Sequence, residues 1–298
     1  MSSVEGILLV DKEPGWTSHD VVAKCRSILS EKRVGHAGTL DPDATGLLIV
    51  GVGRATRLLR FISTGRKSYE GEVVMGAATS TLDASGEVTA TFDMRSTSIE
   101  QVRAAAKLLT GEIDQVPPMY SARKVSGVRL HSLARKGIEV ERAASRVSIY
   151  RFDISGQLPI SNDADTPGPV FSIEVECSVG TYIRVLADDL GRTVGGGAYL
   201  RNLRRTSIGT FSVDDARPVE SITVHDVLPI SEALRDLEMI VVDDEIAPLV
   251  ANGRKMSLGA LKCKGAGPWA LFSGKGDAIG VYCEEDGMAK ASVVFRED

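Results

Sequence analysis

Gly38-Thr39-Leu40-Asp41-Pro42-Asp43-Ala44-Thr45-Gly46 is a polar, glycine-punctuated stretch in front of the apolar run Leu47-Leu48-Ile49-Val50-Gly51-Val52. The run has the length and composition of a buried strand. Upstream, after Arg33-Val34, the same loop also holds Gly35 and His36. A core has no use for a histidine, two carboxylates, a proline and several glycines, whereas active sites favour polar loops held between rigid elements. Pro42 drives the preceding Asp41 away from the α region and so fixes the direction of its carboxylate. An Asp-Pro turn or a helix cap would use the same residues, so the loop alone leaves both readings open.

The flanking sequence frames this loop with alternating strands and helices. Gly6-Ile7-Leu8-Leu9-Val10 reads as a first strand and Glu13-Pro14-Gly15 as a turn. Thr17 or Ser18 then caps a helix over about 19–30, in which Val21, Val22, Cys25, Ile28 and Leu29 share one face. A short helix over 55–62 follows, then strands over 69–76 and 88–92 that read as a hairpin turned by Asp83-Ala84-Ser85-Gly86. Ser98 and Gln101 form a capping box for a helix ending near Leu109. Pro117-Pro118 opens a basic excursion with a short helix near 130–135, which returns as a strand over 146–154. A strand over 170–177, a helix over 183–194 stopped by three glycines, and a bent strand or strand pair over 203–213 come next. From about Met239 short strands punctuated by glycine predict a small β-rich domain, residues 238–298, after a larger domain of residues 1–237.

Composition narrows the class. With 43% hydrophobic and 25% charged residues over 298 positions, the chain is an ordinary globular protein, and no run approaches the roughly 18–20 apolar residues of a membrane span. The N-terminus lacks a basic leader, so a cytoplasmic location is expected. Cys25, Cys177, Cys263 and Cys283 form no CxxC pair, and the four histidines show no ligand spacing, so no metal is expected. The net charge of -5 looks wrong for a nucleic-acid protein, but its distribution matters more. Residues 1–206 carry 26 Lys and Arg against 24 Asp and Glu, so the acidity is C-terminal. Residues 120–151 hold Arg123, Lys124, Arg129, Arg135, Lys136, Arg142, Arg146 and Arg151 against only Glu139 and Glu141. Such a patch grips a polyanion or simply faces solvent.

Two further segments could carry chemistry. Gly180-Thr181-Tyr182-Ile183-Arg184 follows a strand and opens a helix. An arginine there could form an ion pair with Asp41, fixing its orientation through paired hydrogen bonds and lowering its pKa, or could lie on an ordinary helix surface. Tyr69, after Lys67-Ser68, could stack on a base or offer a phenol as acid or base, or it could pack in a strand.

Taken together, the segments resemble the bacterial tRNA pseudouridine-55 synthase family, the TruB type. The stretches that carry the resemblance are Gly6 to Lys12 with Pro14 to Ser18, Arg33 to Pro42, Ala44 to Gly46, Lys67 to Tyr69, Val116 to Ala122, Gly180 to Arg184 and Leu203 to Arg205, in family order. The resemblance implies an α+β fold: a mixed, largely antiparallel central sheet with flanking helices, a basic thumb over about 120–150, and a PUA-like C-terminal domain. It implies Asp41 as nucleophile, Tyr69 as the ring against the target base and Arg184 as the carboxylate's partner. His36, Tyr182 and Leu203 match positions lining the pocket, and Lys124 matches the thumb. The implied substrate is uridine 55 in the T stem-loop of tRNA, modified by a monomer with no cofactor, metal or membrane partner. Asp43 departs from the family's small or apolar residue there, and its charge should disfavour ionisation of Asp41 unless it points to solvent.

Two other readings fit some of these residues. In an extended segment Asp41 and Asp43 project to one side about 7 Å apart, as in the carboxylate pair of a glycosidase or nucleosidase. A catalytically silent RNA-binding or RNA-folding protein would use the basic excursion, but it has no need of a carboxylate in a pocket.

Overall fold

In the computed structural model, residues 4–121, 123–125, 127–134, 136–159 and 167–295 are described. The chain opens with β1 (Gly6–Lys12), α1 (Ser18–Leu29), β2 (Val34–Ala37) and β3 (Thr45–Val52). A 3-10 segment over Gly53–Leu58 leads into α2 (Leu59–Ile62), followed by β4 (Lys67–Met75), β5 (Ala77–Thr79), β6 (Val88–Thr91), α3 (Ile99–Leu108) and β7 (Gly111–Gln115). The excursion holds β8 (Lys124–Val125), β9 (Val128–Arg129) and α4 (Leu130–Ala134). Then come β10 (Ser145–Gln157), β11 (Val170–Cys177), α5 (Ile183–Val194), β12 (Ala198–Ile208), β13 (Phe211–Ser212) and β14 (Arg217–Pro218). The last part comprises β15 (Glu238–Val241), α6 (Ala247–Ala251), β16 (Met256–Ser257), β17 (Trp269–Phe272), β18 (Ala278–Glu285) and β19 (Met288–Val294).

The fold is α+β, as expected. One large sheet runs β14-β1-β3-β12-β4-β11-β10-β7, with β2 on β3 and β13 on β12. Only the β1–β14 and β3–β12 pairs in it are parallel. The central position of β4 follows from composition: Val73, Val74 and Met75 are fully buried between β11 and β12. Helices α3 and α5 cover one face through Val102, Ala106, Leu186 and Leu190. α1 places Val21, Val22, Cys25 and Leu29 against β1, β2 and β3, and Thr17 completes its capping box with Asp20. Burying each such aliphatic side chain contributes roughly 1.5–3 kcal/mol.

A second sheet, β15-β17-β18-β19-β16, contains all the regular strands after Leu237. Its Ala270, Phe272, Val281, Val293 and Phe295 share a core with Ile7, Leu9, Leu58 and Ile62, so the small sheet is packed onto the large one.

Three local expectations are corrected. The strand over 69–76 and that over 88–92 do not pair. Gly76, at φ 94°, turns the chain out of the large sheet, where both edges of β4 are already occupied, and the hairpin forms between β5 and β6. The segment holding His36 is not all loop: Val34–Ala37 forms a strand against Ile49–Val52, because Val34 and Ala37 have buried positions to fill. β12 also begins at Ala198, ahead of the expected Leu203, since Tyr199 and Leu200 pair with β4 directly after the glycines.

Candidate active site

Asp41 lies in the connection between β2 and β3, and the chain around it is pinned from beneath. The buried Ser18 hydroxyl accepts from the Leu40 amide at 3.0 Å and donates to the Leu40 carbonyl at 3.2 Å. Lys12, fully buried and opposite Gly46 in the β1–β3 register, donates to the carbonyls of Glu13, Trp16 and Pro42 at 3.0, 2.7 and 2.9 Å. The Gly15 amide reaches the same Pro42 carbonyl. Gly46 is obligatory here, at φ 96° and so close to β12 that a Cβ would stand 2.2 Å from the Arg205 carbonyl oxygen. The Asp41 backbone is therefore fixed on both sides of its carboxylate.

Arg184, in the first turn of α5 and 6% exposed, is the hub. Its Nε lies 2.9 Å from Asp41 Oδ2 and its Nη2 donates to Asp41 Oδ1 at 3.2 Å, a two-pronged pair. The same guanidinium donates to the carbonyls of Thr81 and Tyr120 at 3.0 and 2.9 Å and meets Asp83 Oδ2 at 3.4 Å. One side chain thus ties together the Asp41 loop, the β5–β6 turn and the start of the basic excursion. Gln115 fixes the approach of α5 by exchanging hydrogen bonds with the Tyr182 backbone at 3.0 and 3.3 Å.

The electrostatics differ from the simple expectation that Arg184 keeps the Asp41 pKa low. Enclosure by protein raises the Asp41 pKa, Arg184 opposes this, and Asp83 and then Asp43 add to the rise. Asp43 is exposed, so its effect is the smaller of the two. Asp83, read from sequence only as a turn residue, does form the turn, with Oδ1 accepting from the Ser85 amide and from the Thr81 and Ser85 hydroxyls. Its other oxygen faces Arg184, a contact that local sequence does not reveal.

Two clefts meet at Asp41 and Arg184. One, of about 260 Å³, is lined by Gly38, Lys67, Tyr69, Tyr182, Leu203 and Arg205 among others. The other, of about 320 Å³, is lined by Asp43, Asp83, Ser85, Arg201, Asn202 and Leu203. Tyr69 is buried, and burial raises its phenol pKa, with the Arg205 guanidinium opposing the shift. His36 lines neither cleft. Its ring packs edge-on to His19 at 5.6 Å with Nδ1 buried and unpartnered among the described residues, and burial with the nearby His19 and Arg205 lowers its pKa. The side chain of Lys124 lies outside the described residues, as do those of Arg129 and Arg135. Ser18, Lys12, Lys67, Asp83 and Arg205 all bear on the site, whereas the sequence offers Ser18 only as a helix cap, Asp83 only as a turn residue, Arg205 as one of a basic cluster with Arg201 and Arg204, and Lys12 and Lys67 only within the stretches that carry the resemblance. The burial of Lys12, Lys67 and Arg205 would have been a signal, but burial emerges only with the pairing of β1, β3, β4 and β12.

The arrangement can present an oriented carboxylate to a sugar carbon while an aromatic ring and apolar side chains hold a base in a cleft. Residues 26–183 match the family model described as TruB family pseudouridylate synthase (N terminal domain). The chain is 40% identical to the tRNA pseudouridine synthase B of Arthrobacter sp. (strain FB24), covering 98% of this chain and 97% of that protein. It is also 40% identical to the protein of that name from Geobacillus thermodenitrificans (strain NG80-2), covering 98% of this chain and 100% of that protein. In fold it is similar to a chain in the structure of an H/ACA RNP bound to a substrate RNA containing 2'-deoxyuridine, with a TM-score of 0.71, 21% identity and coverage of 98% and 85%. A chain of a Cbf5-Nop10-Gar1 complex gives a TM-score of 0.70 at 23% identity, with coverage of 98% and 84%.

Proposed function

The chain belongs to the TruB family of pseudouridylate synthases, and we propose that it isomerises uridine 55 in the T stem-loop of tRNA, with Asp41 as nucleophile. The observation that carries this reading is the two-pronged contact of Arg184 with Asp41 at the junction of two clefts, one of them lined by Tyr69 and Tyr182. The target nucleotide leaves its stack, at an expense of a few kcal/mol, and the cleft offers the ring of Tyr69 and the side chain of Leu203 to its base. Breaking the C1'-N1 bond, turning the uracil and joining C1' to C5 removes no atom and oxidises none, so the chemistry asks for no cofactor. Ionised Asp41 either attacks C1' or assists departure of the uracil and later removal of a proton. Arg184 holds the carboxylate toward the reacting carbon and favours its charged form against the pull of burial.

Residues 1–237 would form the catalytic unit with a thumb over about 120–150, and residues 238–298 a PUA-like unit. The gap between the last strand of the large sheet and the first of the small one supports that division. Among the described residues no helix is long and apolar enough to cross a membrane. The proposed setting is a cytoplasmic monomer acting on tRNA. Incubation of the protein with unmodified tRNA, followed by mapping of pseudouridine, tests reaction and position together. Pseudouridine at position 55 supports the reading, whereas free uracil would indicate a hydrolase and no product would refute the assignment.

A further inference from the structure

The cleft that holds Tyr69 also holds two buried cations. Lys67 is 7% exposed at the start of β4, and Arg205 is 1% exposed in β12. Both line the cleft, and their head groups converge above Gly38. A Cβ added to that glycine would stand 3.4 Å from Lys67 Nζ and 3.4 Å from Arg205 Nη1. Arg205 is held rigidly, with Nε donating to the Leu47 carbonyl at 2.8 Å and Nη2 to the Gly38 carbonyl at 3.0 Å. Among the described residues no carboxylate lies within ion-pair distance of either cation. Arg184, by contrast, has Asp41 and Asp83.

Two like charges converging on a desolvated space repel each other and oppose folding, so a structural role would favour a neutral side chain or an acidic partner. Burial, with Arg205 adding to it, pushes Lys67 down to about 8, which still leaves the ammonium mostly charged at neutral pH. The space between the head groups therefore suits an anion, but the resting uracil is neutral.

We propose that Lys67 and Arg205 form a preorganised cradle that stabilises the uracil as an anion when it separates from the ribose. This rests on the isomerase reading above. As the C1'-N1 bond breaks, its electron pair leaves with the base, and the negative charge spreads over N1, O2 and O4. Lys67 and Arg205 donate hydrogen bonds to this charge and keep their protons. C1' is compensated by a bond to an Asp41 oxygen or by loss of a neighbouring ribose proton. When C5 bonds to C1', the pair used comes from the uracil ring while the C1'–Asp41 bond breaks and its pair returns to the carboxylate, or, on the other route, Asp41 gives the ribose proton back. The C5 proton then passes to the Asp41 carboxylate while N1 gains one from solvent. Donors that meet a charge only as it develops act on the transition state and leave ground-state binding nearly unchanged. Gly38 is part of the device, because any side chain there would occupy the space over which the cations converge.

The test uses the full chain and single-turnover conversion of tRNA containing uridine or, in a parallel preparation, 5-fluorouridine at the target. Fluorine at C5 stabilises the detached anion by itself. Lys67→Met and Lys67→Gln should lower the uridine rate by about 100-fold, with the tRNA dissociation constant within about two-fold and its salt dependence unchanged. The deficit should shrink for consumption of 5-fluorouridine, and Lys67→Arg should recover most of the uridine rate. Thermal unfolding identifies which neutral variant keeps its fold, and that variant carries the fluorine comparison. If both lose it, Gly38→Ala, whose methyl enters the space between the two head groups, carries that comparison against wild type. An equal deficit for both bases would overturn the cradle and leave Lys67 a structural residue. Weaker binding with a salt slope reduced by about one would also overturn it, by making Lys67 a phosphate contact. A wild-type protein that makes no pseudouridine would refute the isomerase reading, which is a different failure.

Discussion

Positive charge is used in opposite ways in the excursion of residues 120–151 and in the floor of the site. In and beside the excursion Arg146 and Arg151 are exposed and Arg142 is half-buried, and these three already have acidic partners: Arg142 meets Glu139 at 3.3 Å, Arg146 meets Asp114 at 3.1 Å, and Arg151 meets Glu174 at 2.9 Å. In the floor Lys12, Lys67 and Arg205 are buried, and the donors seen for Lys12 and Arg205 go to backbone carbonyls. An exposed paired charge contributes little to stability and is readily redirected to a phosphate. A buried cation without an acid is expensive and must be compensated by loop fixation or by chemistry. A count of Lys and Arg along the chain weights both regions alike, but the physics does not.

The sharpest way to break this contrast is to remove the acid that the buried arginine serves. Asp41→Asn keeps the volume of the side chain and removes its charge and nucleophilicity. Conversion of uridine in tRNA should fall by at least about 10⁴-fold, while the tRNA dissociation constant stays within about three-fold, because a carboxylate repels phosphate and adds nothing to that binding. Full release of tritium from tRNA labelled at C5 of uridine would refute Asp41 as the group that carries the reaction.

Arg184→Lys ranks next. Lysine keeps the positive charge but cannot form the two-pronged contact with Asp41 and also satisfy the Thr81 and Tyr120 carbonyls. The turnover rate should drop by about 100-fold with unchanged affinity for tRNA. Arg184→Met also removes the charge that opposes the rise in Asp41 pKa, so the acid limb of its pH profile should move to higher pH. A limb that stays in place would mean that Asp41 is not the group titrating in that limb.

Much of this arrangement was legible along the chain, and the remainder was not for identifiable reasons. The helix cap at Thr17 or Ser18, of which the structure uses Thr17, the capping box at Ser98, the span of α5 and the span of β11 depend on local chemistry and periodicity, which a sequence displays directly. The pairing of β5 with β6 was misread because apolar content in β4 does not reveal that both its edges are occupied. Asp41 and Arg184 stood out because their segments were polar where a core would not be. Lys67 and Arg205 stand in stretches that carry the resemblance, but nothing local marks them as buried. Their burial comes from the β4–β12 pairing, which brings residues far apart in sequence to one cleft. Asp83 was hidden by its own turn, since one oxygen fully accounts for its local role.

The excursion side of the comparison predicts a smaller effect. Among the described residues Arg123 and Lys136 have no carboxylate within ion-pair distance, and Arg123 instead donates to the Ser145 hydroxyl. Replacing both by Gln should weaken tRNA binding by about ten-fold and reduce the slope of log affinity against log salt by up to about two. Arg146→Gln should change the slope less, because Asp114 and Glu112 already compete for that guanidinium. Equal slope changes per charge removed in the two variants would show that the ion pairs open fully on binding, and would erase the distinction between free and paired charge on this face.

Asp43→Asn has the smallest expected effect, and it isolates one electrostatic influence. Asp43 is exposed and raises the Asp41 pKa less than Asp83 does. A negative neighbour disfavours the ionised form of Asp41, so removing it lowers the Asp41 pKa, and activity persists to lower pH. The sign is opposite to that of Arg184→Met. At neutral pH kcat/KM should stay within about two-fold of wild type, since an exposed charge couples weakly through water. Raising the ionic strength should shrink the shift in the acid limb further. A limb that moves to higher pH in Asp43→Asn would mean that Asp43 supports the ionised state of Asp41 through a contact absent from this structure. A large loss at neutral pH would instead place Asp43 in the chemistry, as the carboxylate-pair reading requires.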